Sequence, residues 1–150
     1  AVELDWWQTA QHGRWKVTCV PVQHWSQRID QWQNSTLWCG WVIANDERTY
    51  FFAGDTGYFH GFTEIGKKFG PIDVAMLPIG AYEPRELMRY MHMNPQDAFQ
   101  AHKDLHAKCS MAIHYRTFQL TDESREQPEI DLKVAMKNSS KLMNPFVCLT

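Results

Sequence analysis

The 150-residue sequence contains no run approaching the roughly 18 consecutive apolar residues that a membrane-spanning helix requires. It also lacks any Cys-x-x-Cys pair. Its four cysteines, Cys19, Cys39, Cys109 and Cys148, lie far apart inside apolar, strand-like runs, which argues against a cysteine-ligated metal knuckle or a disulfide scaffold. Reduced thiols and an intracellular, cytoplasmic setting are expected. Charge of one sign is scarce in excess: 15 Lys+Arg stand against 17 Asp+Glu, a formal net charge of −2. No overall basic field is therefore available to draw in nucleic acid, and an anionic ligand would have to be captured locally. The opening Ala1-Val2-Glu3-Leu4-Asp5 has no initiator Met, basic leader or apolar leader core, so it reads as the interior of a longer sequence.

A hydrophobic fraction of 44%, with 13% aromatic residues, is enough for one packed domain over residues 1–150. Three β-rich runs come first: Lys16–Val22, Thr36–Ala44 and Thr49–Ala53, the last two joined by the turn sequence Asn45-Asp46-Glu47-Arg48. From Gly54 onward helical and apolar segments alternate. A short helix is expected over Gly61–Phe69, a strand over Ile72–Leu77 stopped by Pro78, and a helix over Gln96–Lys108. That helix opens with Asn94 as N-cap and Pro95 in its first turn. A strand over Ser110–Phe118, an amphipathic helix over Pro128–Lys141 and a strand over Phe146–Thr150 complete the pattern. The order βββ followed by αβαβαβ suits an α/β mixed sheet with helices on its outer face. A sheet covered on one side leaves its other side bare, so a second layer is expected from elsewhere.

Ligand-type residues fall where strands end: His24 after the first, Asp55 in Gly54-Asp55-Thr56-Gly57 after the third, and His114 at the Ser110 strand. Side chains on loops held by a rigid sheet can converge on one site. The flanking glycines allow a sharp turn that presents the Asp55 carboxylate, whose two oxygens can bridge two cations. Taken singly, Gly-Asp-Thr-Gly also describes an ordinary turn, and a strand histidine is often a satisfied core residue. His102 and His106, four residues apart amid Lys103, Asp104 and Lys108, read as a solvated helix face rather than a metal pair. Trp6, Trp7, Trp25, Trp32, Trp38 and Trp41 crowd the first third, suiting either core packing or a surface apolar on one side and wet on the other.

The words QHW (23–25), FFAGDTGY (51–58), PIGAYEPR (78–85), HMNP (92–95) and AIHYRTF (112–118) occur in one order. In that order the chain resembles the N-acyl-phosphatidylethanolamine-hydrolysing phospholipase D family over nearly its whole length. The resemblance implies the C-terminal half of a metallo-β-lactamase αββα sandwich. It implies two zinc ions, Zn2+ held by His24, Asp55 and His114, with Asp55 bridging and one histidine for each ion. It further implies a membrane phospholipid substrate whose phosphodiester is hydrolysed, with His92 near the phosphate in a catalytic and substrate-binding role alongside Asp55. Tyr82 and Arg85 are candidate substrate contacts, since an arginine fork suits phosphate or carboxylate.

Three departures stand out. The family's upstream His-x-His-x-Asp-His motif occurs nowhere in the chain, so the missing N-terminal half of the domain is expected to supply the remaining ligands. Arg116 occupies a place where relatives carry Trp-Gly after the histidine, and the tail from Asn138 to Thr150 matches poorly. The expected activity therefore belongs to a longer chain, with peripheral membrane contact. The alternative is a non-catalytic domain of the same scaffold that pairs with another copy as a homodimer.

Overall fold

A computed structural model describes residues 1–138 and 144–149. Seven strands form one sheet in sequential order: β1 (Thr9–His12), β2 (Trp15–Val20), β3 (Gly40–Ala44), β4 (Thr49–Phe52), β5 (Val74–Pro78), β6 (Ser110–Ile113) and β7 (Phe146–Val147). The first four pair antiparallel and the last four parallel, β4 taking part in both kinds. The helices are α1 (Gly61–Phe69), α2 (Arg85–Met88), α3 (Pro95–Asp104) and α4 (Gln127–Lys137).

The hairpin between β3 and β4 is closed by the Asn45 side chain, which accepts from the backbone N–H groups of Glu47 (2.9 Å) and Arg48 (2.8 Å). At α3, Asn94 Oδ1 accepts from the Asp97 N–H at 2.8 Å, with Pro95 in the first turn, the capping expected from the sequence. Other boundaries differ. Pro78 ends β5 as a member of the strand, paired with Ile113, and β6 stops at Ile113 because His114 takes a left-handed φ of 55°. Strand β1 and the one-turn α2 were not expected. The ends of two expected elements, residues 139–141 and Thr150, lie outside the described residues.

Register sorts the side chains into two faces. Along one row Thr18, Val42, Phe51, Ala75, Ser110 and Phe146 are cross-strand neighbours, and all are buried. Phe62 and Ile65 of α1, Ala98, Phe99 and Ala101 of α3 and Leu132 of α4 join this row in a single core. The adjacent row on the opposite face runs Trp41, Phe52, Met76, Met111, Val147. None of these five is buried, and Phe52 is 38% exposed, whereas Cys19, which continues the row into β2, is fully buried. The expected bare face is present.

Candidate metal centre

Strands β2 and β4 both run antiparallel to β3, and β5 and β6 run parallel to β4. Their C-terminal ends therefore share one edge of the sheet, where loops from an α/β sheet place their functional groups. His24 follows β2, Asp55 follows β4, His92 follows β5 by way of α2, and His114 follows β6 directly.

At this edge one ligand atom each of His24, Asp55 and His92 lies within 4.8 Å of the others. His114 Nε2 contacts Asp55 Oδ2 at 3.3 Å. The rings of His92 and His114 stack at 5.3 Å, and His24 meets His92 edge-on at 5.4 Å. All four residues thus converge, with His92 as close to Asp55 as a ligand would be. Among the described residues, the buried Nδ1 atoms of His92 and His114 have no hydrogen-bond partner, which is costly for imidazole nitrogens unless something else engages them. Three imidazoles and a carboxylate form a donor set suited to zinc.

The electrostatics follow from the contacts. The hydrogen bond from His114 holds the Asp55 carboxyl below the usual carboxylate range, against the upward push of burial. The same bond raises His114. Burial, reinforced by the neighbouring His114, pushes His92 down to about 4.

Thr56 ties these loops together. Fully buried, its hydroxyl accepts from the Gln23 N–H at 2.9 Å and donates to the Gly57 carbonyl at 2.7 Å, while its own carbonyl accepts from the Met93 N–H at 2.9 Å. One residue thereby fastens the segments carrying His24, Asp55 and His92. A β-carbon at Gly57 would lie 2.6 Å from the Arg89 carbonyl oxygen, so only glycine allows this approach. Gly54, with φ of 64°, makes the preceding turn. Nothing in the sequence marked Thr56 as a junction.

The other sequence candidates point elsewhere. Arg85 Nη1 donates to the His92 carbonyl at 2.8 Å, and its Nη2 pairs with Asp97. Its guanidinium therefore braces the His92 segment. Tyr82 donates its hydroxyl proton to Asp131 at 2.6 Å, and burial pushes that phenol upward. Arg116 turns to Glu129 at 2.9 Å. His102 corrects the expectation of a solvated face: it is 1% exposed, its Nδ1 lies 2.7 Å from Ser110 Oγ, and its ring stacks on Phe99 at 5.9 Å. His106 lies beyond α3, exposed, with φ of 51°. No tryptophan is fully buried, although Trp7 packs against the core. Trp6 instead donates to the Trp38 carbonyl at 2.8 Å and Trp38 to that of Val22 at 2.9 Å, while Trp25 and Trp32 stand 37% and 89% exposed on the loop after His24.

A mixed sheet with helices on one face and a histidine–aspartate cluster at its strand ends is the arrangement of the metallo-β-lactamase type of α/β fold. The chain belongs to the beta-lactamase superfamily, whose domain profile matches residues 1–115. It is 39% identical over 140 residues to N-acyl-phosphatidylethanolamine-hydrolyzing phospholipase D 1 of Caenorhabditis elegans, covering 89% of this chain and 39% of that protein. The mitochondrial N-acyl-phosphatidylethanolamine-hydrolyzing phospholipase D of Saccharomyces cerevisiae is 34% identical over 140 residues, covering 89% of this chain and 30% of that one. The chain thus spans about a third to two-fifths of these relatives. Among solved structures, Igni18, a metallo hydrolase from Ignicoccus hospitalis, superposes with a TM-score of 0.68 at 23% identity, over 96% of this chain and 57% of that one. Among the described residues no helix is long and apolar enough to cross a membrane.

Proposed function

We propose that this chain contributes one side of a two-zinc centre that hydrolyses the phosphodiester of N-acyl-phosphatidylethanolamine, giving N-acylethanolamine and phosphatidic acid, as part of a longer protein. The observation that carries this reading is the convergence of His24, Asp55, His92 and His114 at one sheet edge, with two buried imidazole nitrogens lacking partners among the described residues. The relatives' names supply the substrate class.

His24, His114 and Asp55 would hold the metal ions, the carboxylate having an oxygen to offer each. When bound, zinc supplies a hydroxide nucleophile at neutral pH and screens charge developing on the phosphoryl oxygens. His92, in the same cluster and kept neutral by burial, donates a ring N–H hydrogen bond to the departing alkoxide. Arg85 and Thr56 keep His92 and Asp55 in register, and a misplacement of about 1 Å can cost ~100-fold in rate. In this reading the rest of the domain supplies the remaining ligands and covers the open face of the sheet. Ile29 and Trp32, 92% and 89% exposed on the loop that follows His24, suit peripheral contact with a phospholipid surface.

The open face also favours a second reading, in which the same scaffold pairs with another copy and carries no activity. Turnover separates the two. A full-length protein containing this chain is expected to hydrolyse N-acyl-phosphatidylethanolamine in preference to an aryl phosphodiester and to lose that activity in His24→Ala and Asp55→Ala. A dimer holding less than stoichiometric zinc and inactive on both substrates would establish the second reading instead.

A further inference from the structure

Beside the metal cluster lies a cavity of about 260 Å³ that shares His114 as a wall and is otherwise built mainly from the segment following β6, with Gly80 and Ala81 after β5 and Pro128 of α4 closing it. Two of its charged walls, Glu123 and Arg116, are already engaged. The Glu123 carboxylate accepts from the N–H groups of Ala81 (2.7 Å), Tyr82 (3.2 Å) and Glu83 (3.0 Å) and from the Thr121 hydroxyl (2.7 Å). Arg116 is held by Glu129. What the cavity offers an incoming group is the apolar surface of Phe118, Leu120 and Pro128. Phe118 and Leu120 remain 73% and 63% exposed although they line a concavity, a pairing of large apolar side chains with an open hollow that marks a binding surface. Arg125, also in the lining, makes no hydrogen bond or ion pair among the described residues and can donate to an oxygen on the occupant.

Size narrows the occupant further. Sites that enclose a whole small molecule run from about 300 to 1,000 Å³, so this cavity takes one arm of a larger substrate. The geometry points to a subsite for a single aliphatic arm of a phosphoester whose phosphate sits on the His24–Asp55–His92–His114 cluster, with Phe118 and Leu120 setting the preference for that arm. This assignment rests on the phosphodiester reading given above. Burial of each methylene is worth ~0.8 kcal/mol, or about fourfold in affinity. A short chain seated here therefore discriminates strongly against a methyl group.

The test is a titration of the chain, with and without equimolar Zn2+, using methyl, butyl and hexyl phosphate, followed by backbone amide shifts in NMR. Hexyl phosphate is expected to bind at least ~30-fold more tightly than methyl phosphate, about half of the full methylene effect, with the largest shifts at Phe118 and Leu120. Ser124, exposed in the lining, provides a plug that leaves the core untouched: Ser124→Trp should bring the hexyl-to-methyl ratio toward one, and Phe118→Ala should reduce it. Equal affinities for the three phosphates overturn the subsite, as does a ratio unchanged in Ser124→Trp or shifts centred on Phe52 and Met111 of the open sheet face. Zinc-dependent methyl phosphate binding without any chain-length effect sinks the subsite alone. A chain-length effect at Phe118 that zinc does not alter supports the subsite and counts against the metal reading.

Discussion

Phe51 and Phe52 are adjacent in β4 and point to opposite faces of one sheet, yet they live in different surroundings. Phe51 is fully buried between Val42 and Ala75 and packs against Phe62 of α1 at 6.2 Å, whereas Phe52 is 38% exposed in a row of partly open apolar side chains. The strand alternation is apolar on both faces, which is the pattern of a sheet buried on two sides. One face has its helices within this chain. The other keeps the composition of a core without cover from this chain's helices, and that difference teaches where the proposed longer protein, or a second copy, would have to pack.

The largest expected effect breaks the covered side. Phe51→Ala should lose about 3–5 kcal/mol of stability in denaturant unfolding, while Phe52→Ala should lose less than half as much in this chain. Comparable losses would mean that the open face is closed in solution, for example by another copy, and sedimentation would then show association that Phe52→Asp abolishes.

Next comes the junction between the sheet and its edge. Thr56→Val preserves volume but removes the hydroxyl that joins Gln23 to Gly57, leaving the half-buried Gln23 N–H without that partner at a cost of about 1 kcal/mol. Thermal unfolding measures that loss, and zinc titration should show a parallel loss of affinity. A stable variant that binds zinc normally would dissociate the edge from the core.

A smaller, pH-dependent effect belongs to His102 on the covered side. Burial holds its imidazole below the ordinary 6.5, so the unfolded chain takes up a proton that the folded chain resists. Its contribution is complete above about pH 6.5 and is lost as pH falls through the range below it. Unfolding free energies at pH 7 and 5 should therefore diverge, and His102→Gln, which retains a polar partner for Ser110, should show a smaller difference. The least effect is expected at the rim: Arg116→Ala removes an exposed ion pair with Glu129 and should change stability by under ~1 kcal/mol.

Much of this arrangement was legible in the sequence, for reasons that particular residues make plain. The Asn94-Pro95 cap, the Asn45 turn and the β-rich runs each act through local chemistry, and their elements form where expected. The meeting of His24, Asp55 and His114 followed from strand ends, because strands running in one direction bring their exits together. Strand β1 was missed because Thr9-Ala10-Gln11-His12 has no apolar alternation, and only its pairing with β2 makes it a strand. His102 was misjudged because its sequence neighbours are charged, whereas its helical neighbours are Ala98, Phe99 and Leu105, all buried. Arg85 and Tyr82 carry groups suited to substrate, and only the fold reveals that His92, Asp97 and Asp131 already engage them. Thr56 gave no signal, since a small polar residue between a carboxylate and a glycine is ordinary in any turn.

The central claim is that the edge cluster is a metal centre, and calorimetric zinc titration of the purified chain tests it most directly. The account predicts saturable zinc binding weakened at least tenfold in both His24→Ala and Asp55→Ala, with His102→Gln binding like the parent. No binding by the parent, or binding that neither substitution weakens, would contradict it.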